Sequence, residues 1–204
     1  MFAGLWGWGK LPFDRSGSDL TAHVLRALAA WQSKVPKSQL TRAMKSGFEY
    51  LENAQHENGS WLPLWFGNQD DPREENPIYG TSKVLLAYAD WGNEDGEIAK
   101  RGLHWLIEQQ NQNGGWGSSV ECTKDPIDDD TLAEANSLRH LESSVEETSL
   151  AIEAIVAIDK GKKHTAVIEK GLLWLLDKVE EDTWMNPSPI GFYFAKLWYY
   201  ERLY

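Results

Sequence analysis

The residues of this chain best suited to acid–base chemistry are carboxylates standing just ahead of a threonine. Asp19 comes two residues before Thr21, and the pair Glu146-Glu147 runs directly into Thr148. Each threonine opens a stretch rich in Leu, Ala, Ile and Val, so each carboxylate falls at the start of a helix. Two roles compete at such a position. Free N–H groups and the helix dipole stabilise an ionised carboxylate, which would make Asp19 an N-cap; a carboxyl held protonated would instead be an acid. The dipole argument favours the cap. Glu146 and Glu147 project about 100° apart on a helix, so they are not a facing dyad. Complementing the dipole is their simpler role, with one of them free to face a cavity.

Other clusters carry less. Asp128-Asp129-Asp130 lies in a long polar loop and reads as a solvated run. Cys122, Asp125 and His140 have the residue types of a zinc site without a recognisable ligand spacing. No metal or cofactor is expected, and neither a Gly-rich phosphate loop nor a Ser/His/Asp set stands out.

Aromatic residues are the other chemical resource: 11 Trp, 7 Tyr and 6 Phe in 204 residues. Flat rings at this density pack repeated elements or line an apolar cavity. Packing comes first, because the Trp residues recur at matched positions. The net charge of −11 argues against nucleic acid, which needs a Lys/Arg patch, and against electrostatic adhesion to anionic lipid. Cys122 is the single cysteine, so no intrachain disulfide forms. Met1 to Gly9 lacks a signal-peptide pattern, and no run is long enough to span a bilayer. A cytoplasmic protein is expected, either soluble or peripheral (monotopic) on a membrane.

The elements that position these residues form a repeat. Gly47-Phe48-Glu49-Tyr50-Leu51 leads to Gln55, Asn58-Gly59 and Trp61; Gly102-Leu103-His104-Trp105-Leu106 leads to Gln110, Asn113-Gly114 and Trp116. A third copy runs from Gly171 to Trp184, with Val179 in place of Gln. After the loops come T-A-H-V-L-R-A-L from Thr21, T-S-K-V-L-L-A-Y from Thr81 and T-S-L-A-I-E-A-I from Thr148. The unit reads as an amphipathic outer helix, a Gly-Trp loop and an inner helix apolar nearly all round. Inner helices are expected near 19–31, 78–91, 145–159 and 190–203, and outer helices near 38–54, 96–111 and 164–179. Pro36, Asn58-Gly59, Asp71-Pro72, Asn113-Gly114-Gly115 and Asn186-Pro187 separate them. No stretch alternates long enough to suggest a sheet. The expectation is one all-α domain over residues 1–204: a partial α/α toroid, an incomplete (α/α)6 barrel of about seven helices in alternating outer and inner layers. A closed ring of six units of about 55 residues would need roughly 330. The chain also starts at the loop Leu5-Trp6-Gly7-Trp8-Gly9, so an open edge should be covered by a partner chain or by self-association.

These units resemble the QW repeats of squalene–hopene and oxidosqualene cyclases, and the likeness covers nearly all of the chain. Trp61-Leu62-Pro63-Leu64-Trp65-Phe66-Gly67-Asn68, leading to Tyr79-Gly80-Thr81, resembles that family's Trp-rich segment. Pro189-Ile190-Gly191-Phe192-Tyr193-Phe194 resembles its C-terminal segment. The resemblance implies an apolar cavity at one end of the inner helices, where a C30 polyene such as squalene is protonated and cyclised through carbocations. Aromatic faces suit such cations, and by position the candidates are Trp65, Phe66, Tyr79, Phe192 and Tyr193, with Glu146 and Glu147 nearby. Each ring could equally be a wedge between helices; Trp61, Trp116 and Trp184 are assigned to the scaffold. The family's acid motif, D-x-D-D-T, is matched by Gly17-Ser18-Asp19-Leu20-Thr21. Only Asp19 is kept, so it is the implied catalytic acid and the motif is eroded. Three functions follow in order: a polyene cyclase, a non-catalytic half-toroid that binds an apolar ligand or supports a partner chain, and a carbohydrate-active toroid. Zinc-binding prenyltransferase β subunits, which share the toroid, fit less well.

Overall fold

Helix boundaries in this protein follow the chemistry of the residues just ahead of them. The computed structural model describes residues 15–64, 66–68, 71, 73–117, 119–120, 141–160, 163–185, 190–192 and 197–199. Helix α1 (Ser18–Ala30) begins after Gly17, and α2 (Lys37–Ala54) after Pro36. Helix α3 (Pro77–Asp90) places a proline in its first turn, where no N–H is needed. Asn76 Oδ1 caps it by accepting from the Tyr79 N–H at 3.0 Å. Helix α4 (Glu97–Glu108) follows Gly96. Helix α5 (Val145–Asp159) is capped by Ser144, whose Oγ accepts from the Glu147 N–H at 3.1 Å. Helix α6 (Thr165–Glu180) follows His164.

The helices form two layers. In the inner layer α3 packs between α1 and α5; in the outer layer α2, α4 and α6 each pack on the inner helix before them, and α4 also reaches α5. This matches the expected alternation. Burial shows why α3 is apolar all round: from Ile78 to Tyr88 every residue except Lys83 is buried.

Matched bonds hold successive units together. Trp61 is fully buried, and its Nε1–H donates to Leu51 O at 2.7 Å; Trp116 is fully buried and donates to Leu106 O at 2.8 Å. Their backbone N–H groups donate to Thr81 Oγ1 and Thr148 Oγ1, at 3.0 and 2.8 Å. Each ring lies under a glycine of the next outer helix. A Cβ on Gly102 would stand 2.6 Å from Trp61 Cζ3, and one on Gly171 2.8 Å from Trp116 Cζ3. The glutamines complete the fastening. Gln55 donates to Gly59 O and across to Ile98 O at the start of α4; Gln110 donates to Gly114 O and across to Val167 O at the start of α6. The "QW" spacing is thus a clamp from one unit onto the next outer helix.

The third unit departs from this scheme. Trp184 is 45% exposed, so it does not share the scaffold role expected of it.

The expected inner helix at 190–203 is also corrected. That stretch holds two strands, β4 (Ile190–Phe192) and β5 (Leu197–Tyr199). With β1 (Phe66–Asn68) they form an antiparallel sheet in the order β1-β4-β5, in register Phe66↔Phe192 and Phe192↔Leu197. Pro189 and Gly191 weaken a helix here, while Ile190, Phe192, Trp198 and Tyr199 favour extended backbone. A second short ladder pairs β2 (Ser119–Val120) with β3 (Leu141–Glu142). The period-two signal was absent because strands of two or three residues are too short to carry it.

Candidate active site

The N-terminal ends of the three inner helices meet at one place. Asp19 is the second residue of α1, Tyr79 the third of α3, and Glu146 and Glu147 the second and third of α5. The carboxyl of Asp19 and that of Glu146 both act electrostatically on the Tyr79 phenol, which burial already pushes above the usual range. Phe66, on β1, stacks obliquely on Tyr79 with ring centroids 5.4 Å apart. Because β4 pairs with β1, the backbone of Phe192 lies beside that of Phe66. Asp19, Phe66, Tyr79, Glu146 and Glu147 therefore gather at one end of the inner layer, with the backbone of Phe192 beside them. Trp65 and Tyr193 lie outside the described residues, as do Asp128, Asp129, Asp130, Cys122, Asp125 and His140.

Asp19 behaves differently from the N-cap that its position suggested. Gly17 occupies the cap position and makes no side-chain capping bond. Asp19 is fully buried. Its Oδ1 accepts a long 3.4 Å bond from the Leu64 N–H, and its Oδ2 has no hydrogen-bond partner among the described residues. Desolvation dominates, offset in part by the Leu20 and Leu64 N–H groups, and pushes the carboxyl above its usual range. Burial thus favours the protonated form, and the cap position belongs to Gly17 rather than to Asp19. The missing first acid of the motif also has a physical reason: a Cβ on Gly17 would stand 2.9 Å from Asp19 Oδ1 and 3.0 Å from Leu64 Cβ. A second carboxyl at position 17 has no room unless Leu64 moves.

The glutamates divide their roles. Glu147 is buried, and its Oε2 accepts from Ser144 Oγ–H at 2.7 Å, which ties it to the start of α5. Glu146 is only partly buried, and its charge reaches both Tyr79 and Lys83.

Sequence reasoning missed the cations of the inner layer. Lys83 Nζ sits 5.2 Å from the Tyr79 ring centroid, within cation–π range. Burial pushes its ammonium below the usual range, against the opposing pull of Glu153, Glu146 and Asp19. Arg26 of α1, paired with Asp90 at 2.8 Å, acts on it electrostatically; burial, with Lys83 and Arg26, pushes the neighbouring His23 below its usual range. The signal was present, since Lys83 is the only cation in an otherwise apolar α3.

The family model described as "Squalene-hopene cyclase C-terminal domain" matches residues 9–203. The chain belongs to this family. This squalene–hopene cyclase C-terminal domain is 28% identical to the enfumafungin synthase of Hormonema carpetanum, over 93% of this chain and 14% of that protein. It is 27% identical to the squalene–hopene cyclase of Zymomonas mobilis, over 93% of this chain and 27% of that protein. The chain therefore spans only about a seventh to a quarter of the length of these relatives. A solved ent-copalyl diphosphate synthase from Streptomyces platensis superposes with a TM-score of 0.59 at 20% identity, covering 82% of this chain and 28% of that one. That likeness shows the α/α-toroid fold. Among the described residues of this cyclase-family domain, no helix is long and apolar enough to cross a membrane.

Proposed function

We propose that this chain is the acid-bearing portion of a terpenoid cyclase that protonates a C30 polyene such as squalene. The observation that carries the reading is Asp19, fully buried and with one oxygen unpartnered among the described residues. In the proposed reaction the Asp19 carboxyl gives its proton to a terminal alkene, whose π electrons form the new C–H bond. The resulting tertiary cation is attacked by the next alkene, and each ring closure moves the cation onward. Loss of a proton from the final cation balances the reaction, an isomerisation with no oxidant or reductant. Phe66 and Tyr79 present ring faces close to where the first cation forms, and Trp65, Phe192 and Tyr193 belong to the same wall in this reading. Residues 1–204 act as one domain. A polyene of this size resides in lipid, so the reaction takes place at the cytoplasmic side of a membrane surface.

A second reading has an observation of its own. Lys83 puts positive charge 5.2 Å from the Tyr79 ring centroid and acts electrostatically on Asp19. A fixed ammonium repels a carbocation and lowers the pKa of the acid. A half-toroid that holds an apolar ligand without reacting it fits that charge. Purified chain is incubated with squalene in detergent beside Asp19→Asn, and the extracts are examined for polycyclic products. Product from the parent chain that falls at least a hundredfold in the variant supports the acid. Equal product from both removes Asp19 from the mechanism. A folded chain that retains squalene and forms no product selects the second reading.

A further inference from the structure

A buried acid that gives up its proton must get one back. In the proposed reaction Asp19 ends as a carboxylate, and the proton lost from the final cation leaves from another part of the product. Asp19 is fully buried, and a polyene lying against Phe66 and Tyr79 keeps water from its inner side. The backbone N–H groups of Leu20 and Leu64 hold the carboxyl, but an amide has no proton to give up. A return route has to run through side chains, from the outer layer.

The outer layer supplies one. Tyr50 of α2 is partly buried, and its phenol O–H donates to Ser16 O at 2.7 Å. Ser16 immediately precedes Gly17, where a Cβ would stand 2.9 Å from Asp19 Oδ1. The phenol and the carboxyl therefore lie against the same short stretch of backbone. Ser18, 5% exposed and next to Asp19 in the first turn of α1, is a hydrogen-bond partner of the same phenol. Burial and the charge of Asp19 push that phenol above its usual range, with Ser18 and Arg15 opposing. A phenol so placed does not rest as phenolate, and it passes a proton on only as it takes one up. From α3, Tyr79 and Lys83 also interact with the carboxyl, and Glu146 of α5 acts on both; they belong to the side that the substrate covers.

Packing alone does not call for a hydroxyl at this position. In register with Gly47, Gly102 and Gly171, Tyr50 corresponds to Trp105 and Trp174, both 7% exposed. The unit that carries the acid is the one whose ring ends in a hydroxyl.

We propose that Tyr50 and Ser18 form the route by which the Asp19 carboxylate is reprotonated, an inference that rests on the cyclase reading. A hydronium ion delivers a proton to the Tyr50 oxygen as the phenol proton passes to Ser18 Oγ. The Ser18 proton passes to Asp19, directly or through one water. At Tyr50 and at Ser18 one O–H bond forms as another breaks, so the net change is one proton gained by the carboxylate. Tyr50 touches neither substrate nor cation and acts through Asp19.

Infrared spectroscopy on the full chain tests the route without substrate. The carboxyl band that Asp19→Asn removes identifies Asp19, and its growth is timed after a rapid drop in pH. Tyr50→Phe keeps the ring and removes the hydroxyl; it should slow that growth about tenfold or more, and Ser18→Ala should do the same. A rate equal to the parent's in either variant overturns the route, as does slowing by Tyr79→Phe alone. A Tyr50→Phe variant that shifts the pH midpoint and not the rate makes Tyr50 an electrostatic neighbour only, which also overturns it. So does a parent chain in which no such band appears. With squalene, Tyr50→Phe should lower the ratio of steady-state to first-turnover rate about tenfold; an unchanged ratio sinks the proposal. A chain that forms no product, yet protonates Asp19 at a rate set by Tyr50, loses the cyclase reading and keeps the route.

Discussion

A carboxyl in the first turn of a helix is ordinarily held ionised by the dipole and the free N–H groups around it. At Asp19 that field is outweighed by the complete removal of water, because Leu64 from a loop 45 residues away closes over it. The consequence has a definite sign. The folded pKa lies above the usual 3.8, so as pH rises past that value the unfolded chain gives up its proton while the folded chain keeps it. Stability is therefore full below pH 3.8 and declines from there until the folded pKa is reached. Asp19→Asn should abolish this decline. Urea midpoints from pH 3 to pH 8 should diverge between parent and variant, by about 1.4 kcal/mol for each unit by which the folded pKa is raised. Parallel profiles would show that Asp19 ionises freely. The place of Asp19 at an inner-helix start was legible from its spacing to Thr21. Its burial was not, since that depends on a loop distant in sequence. Lys83 was visible as a lone cation, but its approach to Tyr79 required the helix rotation to be known.

Among the elements, the helices were legible because each has a stop signal and an apolar period of its own. The strands were not, since β1 becomes a strand only by pairing with β4. The repeated Gln and Trp were visible as a pattern, while their physical meaning, a clamp onto the following outer helix, came only from Gly102 and Gly171. That meaning separates residues which look alike in sequence. Trp116→Ala should cost about 3–5 kcal/mol, as for other fully buried aromatic truncations. Trp184→Ala should stay within about 0.5 kcal/mol, as at an ordinary surface site. Chemical denaturation of the two variants decides; equal losses would mean that Trp184 is seated in solution.

For the molecule as a whole, the pairing of β1 with β4 has a consequence in time. Phe66 waits for Phe192, while the hairpins between them are made from contacts nearer in sequence. On a ribosome, which releases the chain from its N-terminus, α1 to α6 can be assembled before β4 has emerged. The β1–β4 pairing beside Tyr79 then forms after Asp19 is already in place on α1, so the carboxyl is positioned before the strand pair next to it.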